Sequence, residues 1–147
     1  MDWLFLLETT RQLLTGVPLA LQLASLSLGA GMVLAVLIHA AVVSGIAPLR
    51  WAARAHIDLF RGTPLLVQIF FIYYGLGQIS AVRDSAFWPF LREPYWCAVL
   101  ALALNTSAYT AEIIRGALAA VPPGEVEAAR ACGMSGLLLR HRIVWPI

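Results

Sequence analysis

Residues 17–43 read VPLALQLASLSLGAGMVLAVLIHAAVV. The stretch holds no Asp, Glu, Lys or Arg. At about 1.5 Å per residue a helix over it reaches roughly 40 Å, whereas the hydrocarbon core of a bilayer is about 30 Å thick. An apolar run of this length predicts a membrane-spanning helix with tilt to spare. Thr15 is placed to cap it and Pro18 to sit in its first turn. Ser25, Ser27, Gly29, Ala30, Gly31 and Ala35 give it small surfaces where another helix can approach closely. A secretory signal peptide is the competing reading. The run is too long for an h-region of about 7–15 residues, and Asp2 and Glu8 make a poor basic n-region.

Two more stretches have the same character. Residues 62–82, GTPLLVQIFFIYYGLGQISAV, are apolar apart from Gln68, Gln78 and small hydroxyls. Thr63-Pro64 predicts a helix start or a kink at the membrane edge. Residues 94–114, PYWCAVLALALNTSAYTAEII, open on Tyr95 and Trp96, an aromatic anchor of the kind found at membrane interfaces. The whole chain agrees with these segments. It is 61% hydrophobic and 12% charged, where soluble domains have about 45–50% and about 25%. The expected fold is a single all-α polytopic membrane domain over residues 1–147, with spans near 17–43, 62–82 and 94–114.

The charged residues narrow the function. There is no lysine among the 147 residues. A phosphate-binding Walker A loop and a Schiff-base enzyme both need one, so neither chemistry resides on this chain. No basic stripe is interleaved with aromatics, so nucleic acid is not expected as a partner. Cys97 lies in an apolar run and Cys132 in a polar one, which places them at different depths and argues against a disulfide. No Cys/His spacing matches a metal site, and His39 and His141 have no partner pattern. No catalytic residue, metal or cofactor is expected.

Arginine placement sets the expected orientation. The 44–61 loop carries Arg50, Arg54, His56 and Arg61 against Asp58 alone, and Arg115, Arg130, Arg140 and Arg142 follow the third span. Cytoplasmic segments are enriched in Arg and Lys. The N-terminus is therefore expected outside, the 44–61 loop inside, the 81–93 loop outside and everything after Arg115 inside. Asp58 and Arg61 stand at i, i+3, which predicts a local ion pair.

Beyond Val121 the sequence changes to VPPGEVEAARACGMSGLLLRHRIVWPI. The prolines end the preceding helix, and Glu125 and Glu127 suit a new first turn. Gly133 predicts a C-terminal cap, and Ser135 the cap of a second short helix ending in Arg140, His141 and Arg142. Two short surface helices over about 121–142, joined by a Gly-Met-Ser bend, are expected at the cytoplasmic face. The chain stops at Trp145-Pro146-Ile147 with no tail, so the expectation is of a sequence that continues further.

These residues also carry a resemblance. Glu127-Ala128-Ala129, three residues, Gly133, nine residues, Ile143 and Pro146 resemble the EAA loop of binding-protein-dependent ABC importer permeases, with Trp145 in place of that pattern's leucine. Phe60-Arg61-Gly62-Thr63-Pro64-Leu65-Leu66 with Gln68, and Ala108-Tyr109-Thr110-Ala111-Glu112-Ile113-Ile114-Arg115-Gly116, resemble the second and third helices of the polar-amino-acid permeases. The resemblance implies a five-helix core in a bacterial inner membrane, of which this chain would hold three helices. It implies an ATP-binding subunit as partner, docked on Glu127, Ala128, Ala129 and Gly133. It further implies a second permease subunit, identical or different, an extracytoplasmic solute-binding protein and a polar amino acid as cargo. Hydrolysis belongs to the ATP-binding partner, so this chain is not itself expected to be an enzyme.

Asn105, Thr106, Tyr109 and Glu112 in the third span are read as one polar helix face, with Gln68 of the second span as a further candidate for the substrate path. The competing readings are an interhelical hydrogen bond for Asn105 and a Glu112–Arg115 pair. A Glu127–Arg130 pair on an ordinary surface helix is the plain reading of the EAA segment. An intramembrane enzyme would need a nucleophile–base pair that the sequence lacks. A secondary transporter has no use for a motor-docking loop, and a non-transporting scaffold would leave the EAA spacing unexplained.

Overall fold

The computed structural model describes residues 3–144, so Trp145 and Pro146 of the C-terminal pattern lie outside the described residues. Helix α1 (Trp3–Val43) starts twelve residues before Thr15. Thr15 is therefore no cap, and its hydroxyl donates to the Gln12 carbonyl at 2.6 Å. Pro18 lies inside the helix rather than at its start. The reason is local: Leu4–Leu14 are mostly strong helix formers with nothing to stop the helix, and membrane helices tolerate an internal proline. At 41 residues the helix is about 60 Å long, twice the hydrocarbon thickness.

Helix α6 (Pro94–Ala120) opens on the expected proline and runs past residue 114, because no breaker occurs before Pro122. Pro122 holds Val121 in an extended conformation and ends the helix. Ser27, Gly31 and Ala35, at i, i+4 and i+8 on α1, are buried against α6, whereas Ser25 and Gly29 are exposed. The Ser27 hydroxyl donates to the Val99 carbonyl at 3.4 Å, and Ala35 clusters with Ala111 and Ile57. Contact positions rise together along both helices, so α1 and α6 run parallel. The chain between them must travel back.

Helices α2 (Ala47–Gly62) and α3 (Leu65–Gln78) make that return, bent by 113° at Thr63-Pro64. Thr63-Pro64 is thus the helix start and kink the sequence suggests, and α3 follows it from Leu65 to Gln78, shorter than the expected span over 62–82. Within α3 a regular turn (Leu65–Phe70) passes into a π-helical segment (Phe71–Gly75) and a tight 3₁₀ turn (Leu76–Gln78). Ile72 packs on Cys97 and Ala101, and Gln68 meets Asn105, so α3 runs antiparallel to α6. The 44–61 segment, expected as a loop, is α2 itself: its buried face holds Ala53 and Ile57, while Arg54 and Asp58 are exposed. Two short helices, α4 (Ser80–Arg83) and α5 (Trp88–Leu91), lead into α6. Helices α1 and α6 are long and apolar enough to cross a membrane, and the bent pair α2–α3 makes a third crossing if it counts as one.

After α6 come α7 (Pro123–Ala131) and α8 (Gly136–Leu139), the latter continued by a π-helical turn, Arg140–Val144. They pack chiefly on each other. Gly133 closes α7 at φ +80°. Its N–H donates to the Arg130 carbonyl and the Met134 N–H to the Ala129 carbonyl, both at 2.9 Å, the paired bonds of a Schellman turn. Ser135 occupies the N-cap position of α8, but its side chain makes no capping bond. A Cβ added at Gly133 would meet nothing within 4 Å. The cost of Gly133→Ala is therefore set by the left-handed backbone alone, about 1–2 kcal/mol. Gly133→Asn should lower the thermal unfolding midpoint less than Gly133→Val, read by tryptophan fluorescence in detergent.

Candidate functional site

The break between α2 and α3 gathers polar groups. Pro64 has no N–H, so the Phe60 carbonyl loses its helical donor. Gln68, only 7% exposed, fills the gap. Its amide nitrogen donates at 2.9 Å to the Phe60 carbonyl, the Thr63 carbonyl and the Thr63 hydroxyl oxygen. An amide carries two hydrogens, so these acceptors share them. Asn105 of α6 donates to the Gln68 side-chain oxygen at 3.1 Å and to the Phe60 carbonyl at 3.4 Å. Two of the expected path residues, Gln68 and Asn105, thus meet in one network that ties α2, α3 and α6 together.

Thr106 does not join them. Successive helical residues are about 100° apart, which leaves Asn105, Tyr109 and Glu112 on one side and turns Thr106 away. Thr106 instead abuts α1: a Cβ on Gly31 would fall 2.8 Å from the Thr106 Cβ. The expected single face of four residues is corrected to three.

The same face ends in a charged cluster. Arg115 grips Glu112 with two nitrogens, Nε at 3.0 Å from each carboxylate oxygen and a terminal nitrogen at 2.9 Å from Oε2. Arg61, at the end of α2, approaches the same oxygen at 3.5 Å and lies 5.7 Å over the Tyr109 ring. The expected Asp58–Arg61 pair is therefore replaced by a pair across helices, because α2 packs on α6 and brings Arg61 within reach of Glu112. Any further cation approaching Glu112 would compete with two guanidinium groups. These arginine side chains are 45% and 54% exposed, so the pairs contribute little to stability, about 0–1 kcal/mol. Glu112→Gln should leave the unfolding midpoint nearly unchanged, read by tryptophan fluorescence in detergent. A clearly lowered midpoint would show that the cluster contributes more than its exposure allows.

Sequence reasoning missed one contact. His56 Nε2 lies 3.0 Å from Ser107 Oγ, and that hydroxyl lies 2.7 Å from the Leu104 carbonyl as its donor. With the Ser107 hydrogen on Leu104, the hydroxyl oxygen accepts from His56 in the tautomer that carries its hydrogen on Nε2. The signal was the spacing of Ala53, His56, Ile57 and Phe60, which follows i, i+3, i+4, i+7.

The α7–α8 unit shows a different chemistry. Glu127 and Ala128 are exposed, whereas Ala129 is 6% exposed and turned inward. Adjacent helical residues face different ways, so the two alanines do not share a surface. No Glu127–Arg130 ion pair occurs among the described residues. Cys132 is exposed on this unit, and Cys97 is buried in α6. Among the described residues no cluster of His, Cys, Asp and Glu is arranged to hold a metal.

Residues 27–147 match the family described as the binding-protein-dependent transport system inner membrane component. The chain is 58% identical to the octopine transport system permease protein OccM of Rhizobium meliloti over 145 residues, covering 99% of this chain and 59% of that protein. It is 46% identical to the nopaline transport system permease protein NocM of Agrobacterium fabrum, covering 100% of this chain and 61% of that protein. Identity to the histidine/lysine/arginine/ornithine transport system permease protein HisM of Escherichia coli is 41%, covering 98% of this chain and 61% of that protein. The chain spans about three fifths of the length of these curated relatives. Its fold also matches a crystal structure of an amino acid ABC transporter with histidines, at a TM-score of 0.78 and 35% identity, over 99% of this chain and 64% of the other.

Proposed function

The chain belongs to the binding-protein-dependent transport system inner membrane components, and on that footing we propose that it serves in the permease of an ATP-driven importer of a polar amino acid or an amino-acid derivative. The names of the relatives support a basic or opine-type cargo, since they include octopine, nopaline and arginine systems. The permease works beside a second permease subunit and receives cargo from an external binding protein. The N-terminus and the 81–93 segment face outward, and α2, α7 and α8 face the cytoplasm. Arginine placement supports that orientation, and so does the parallel course of α1 and α6.

The observation that carries the proposal is the α7–α8 unit. It packs chiefly on itself, is fixed by the turn at Gly133, and joins α6 through Val121-Pro122. In this reading Glu127 and Ala128 face the ATP-binding subunit, Ala129 seats α7 within the unit, and Gly133 holds its shape. Asn105, Tyr109, Glu112 and Gln68 lie along or beside the substrate path, with Thr106 set back against α1.

Cys132 offers a direct test, being exposed where Cys97 is buried. A benzophenone maleimide attached there, in inside-out membrane vesicles holding the whole transporter, should photocrosslink to the ATP-binding subunit. Labelling of Cys132 in intact cells by a membrane-impermeant maleimide from the outer side would sink the proposal.

A further inference from the structure

Between α7 and α8 lies an open cleft of about 470 Å³, flanked by Arg130 and Arg140. Gly133 and Gly136 line it, both at positive φ, and neither would bring a Cβ within 4 Å of another group. The cleft is therefore lined in part by bare backbone rather than by side chains. Arg130 and Arg140 are exposed, and neither is ion-paired among the described residues. Two unpaired guanidinium groups beside a cleft favour a planar anion that both can grip.

We propose that this cleft receives an acidic side chain of the ATP-binding subunit, with Arg130 and Arg140 as its two anchoring cations. The inference rests on α7–α8 being the motor-docking unit, and it names the chemistry of the surface that docks. Charge distribution favours a protein over a lipid headgroup. The same small unit opens with exposed Glu125 and Glu127 and carries its arginines further along. An anionic leaflet attracts the arginines and repels the carboxylates. A protein surface satisfies both by presenting an acid to the cleft and a base to the start of α7. Exposed Leu137, at 82%, supplies apolar contact beside the charges.

The test uses the whole importer with its ATP-binding subunit, purified into nanodiscs of phosphatidylcholine alone or mixed with an equal part of phosphatidylglycerol. Retention of the ATP-binding subunit is measured for R130E, R140E, R140K and E127R. The charge reversals at Arg130 and Arg140 should each weaken retention about tenfold or more in both lipids, with R140K close to wild type. Replacing an acidic residue of the ATP-binding subunit by arginine should restore binding to R140E. Wild-type retention by R130E and R140E, with E127R defective, overturns the cleft and leaves the docking reading standing. Wild-type retention by all variants overturns both. A defect seen only with phosphatidylglycerol assigns the cleft to lipid phosphate and overturns the proposal. Equal loss in R140E and R140K, with no acidic residue of the subunit giving rescue, also overturns it.

Discussion

Replacing Gly31 by alanine is expected to loosen the pairing of α1 with α6 and to lower the unfolding midpoint clearly, whereas Gly29→Ala should leave it unchanged. The added methyl would stand 2.8 Å from the Thr106 Cβ and 3.0 Å from both the Thr106 methyl and the Ala103 carbonyl oxygen. One of those groups is backbone, so a rotamer change cannot relieve the clash and the helices must separate. Overpacking of this kind costs about 1–3 kcal/mol. Lipid does not drive helices together by the hydrophobic effect, so lost close contact is not made good elsewhere. Gly31→Leu should prevent accumulation of folded protein. Gly29 is the internal control, because nothing lies within 4 Å of a Cβ built there. Tryptophan fluorescence against temperature, on both alanine variants in one detergent, decides the matter. Equal midpoints would show that the helices are not pressed together at Gly31.

The second large effect is expected at Gln68. Gln68→Leu keeps the volume near native but leaves the Thr63 carbonyl without its side-chain donor and the Phe60 carbonyl with only the longer bond from Asn105, at a break where proline supplies no N–H. Each buried acceptor left without a donor costs about 1–3 kcal/mol. Gln68→Glu should be worse, because an ionised carboxylate brings only acceptors to face the same oxygens. Asn105→Ala removes interhelical bonds, which average about 0.6 kcal/mol inside membranes, so its effect should be several-fold smaller. The expected order of unfolding midpoints is Asn105→Ala, Gln68→Leu, then Gln68→Glu, from highest to lowest. An Asn105 variant as damaged as the Gln68 variants would mean that the bond across to α6, not the sealing of the break, holds this region together.

Much of this architecture could be read from the letters, and the misses have physical causes. Long apolar runs identified α1 and α6, and Pro64 announced the break, because lipid and proline each impose one strong rule. The start of α1 was misplaced, since Thr15 and Pro18 resemble a cap and a first turn only when nothing helical precedes them. Helix α2 was hidden by its own arginines. Counting charge for orientation obscured the apolar stripe of Ala53, Ile57 and Phe60. Arg61 was assigned to Asp58 by spacing, but the packing of α2 on α6 that brings it to Glu112 lies beyond what local spacing can report. Thr106 was grouped by its i+3 spacing to Tyr109, although it stands next to Asn105 and a helix turns each neighbour by about 100°. The EAA residues were legible only as a pattern, and the inward turn of Ala129 needed coordinates.

The close approach at Gly31 has a mechanical meaning. About fourteen residues of α6, roughly 21 Å, lie between that point and the end of the helix. With the contact as a fulcrum, α6 is a lever whose far end carries the α7–α8 unit. A tilt of about 10° there sweeps the end through roughly 4 Å, by the same helix rise, while Asn105 beside the pivot hardly moves. A movement of that size at the α7–α8 end would reach the carboxamide network as a small twist and Glu112, further along the arm, as a displacement.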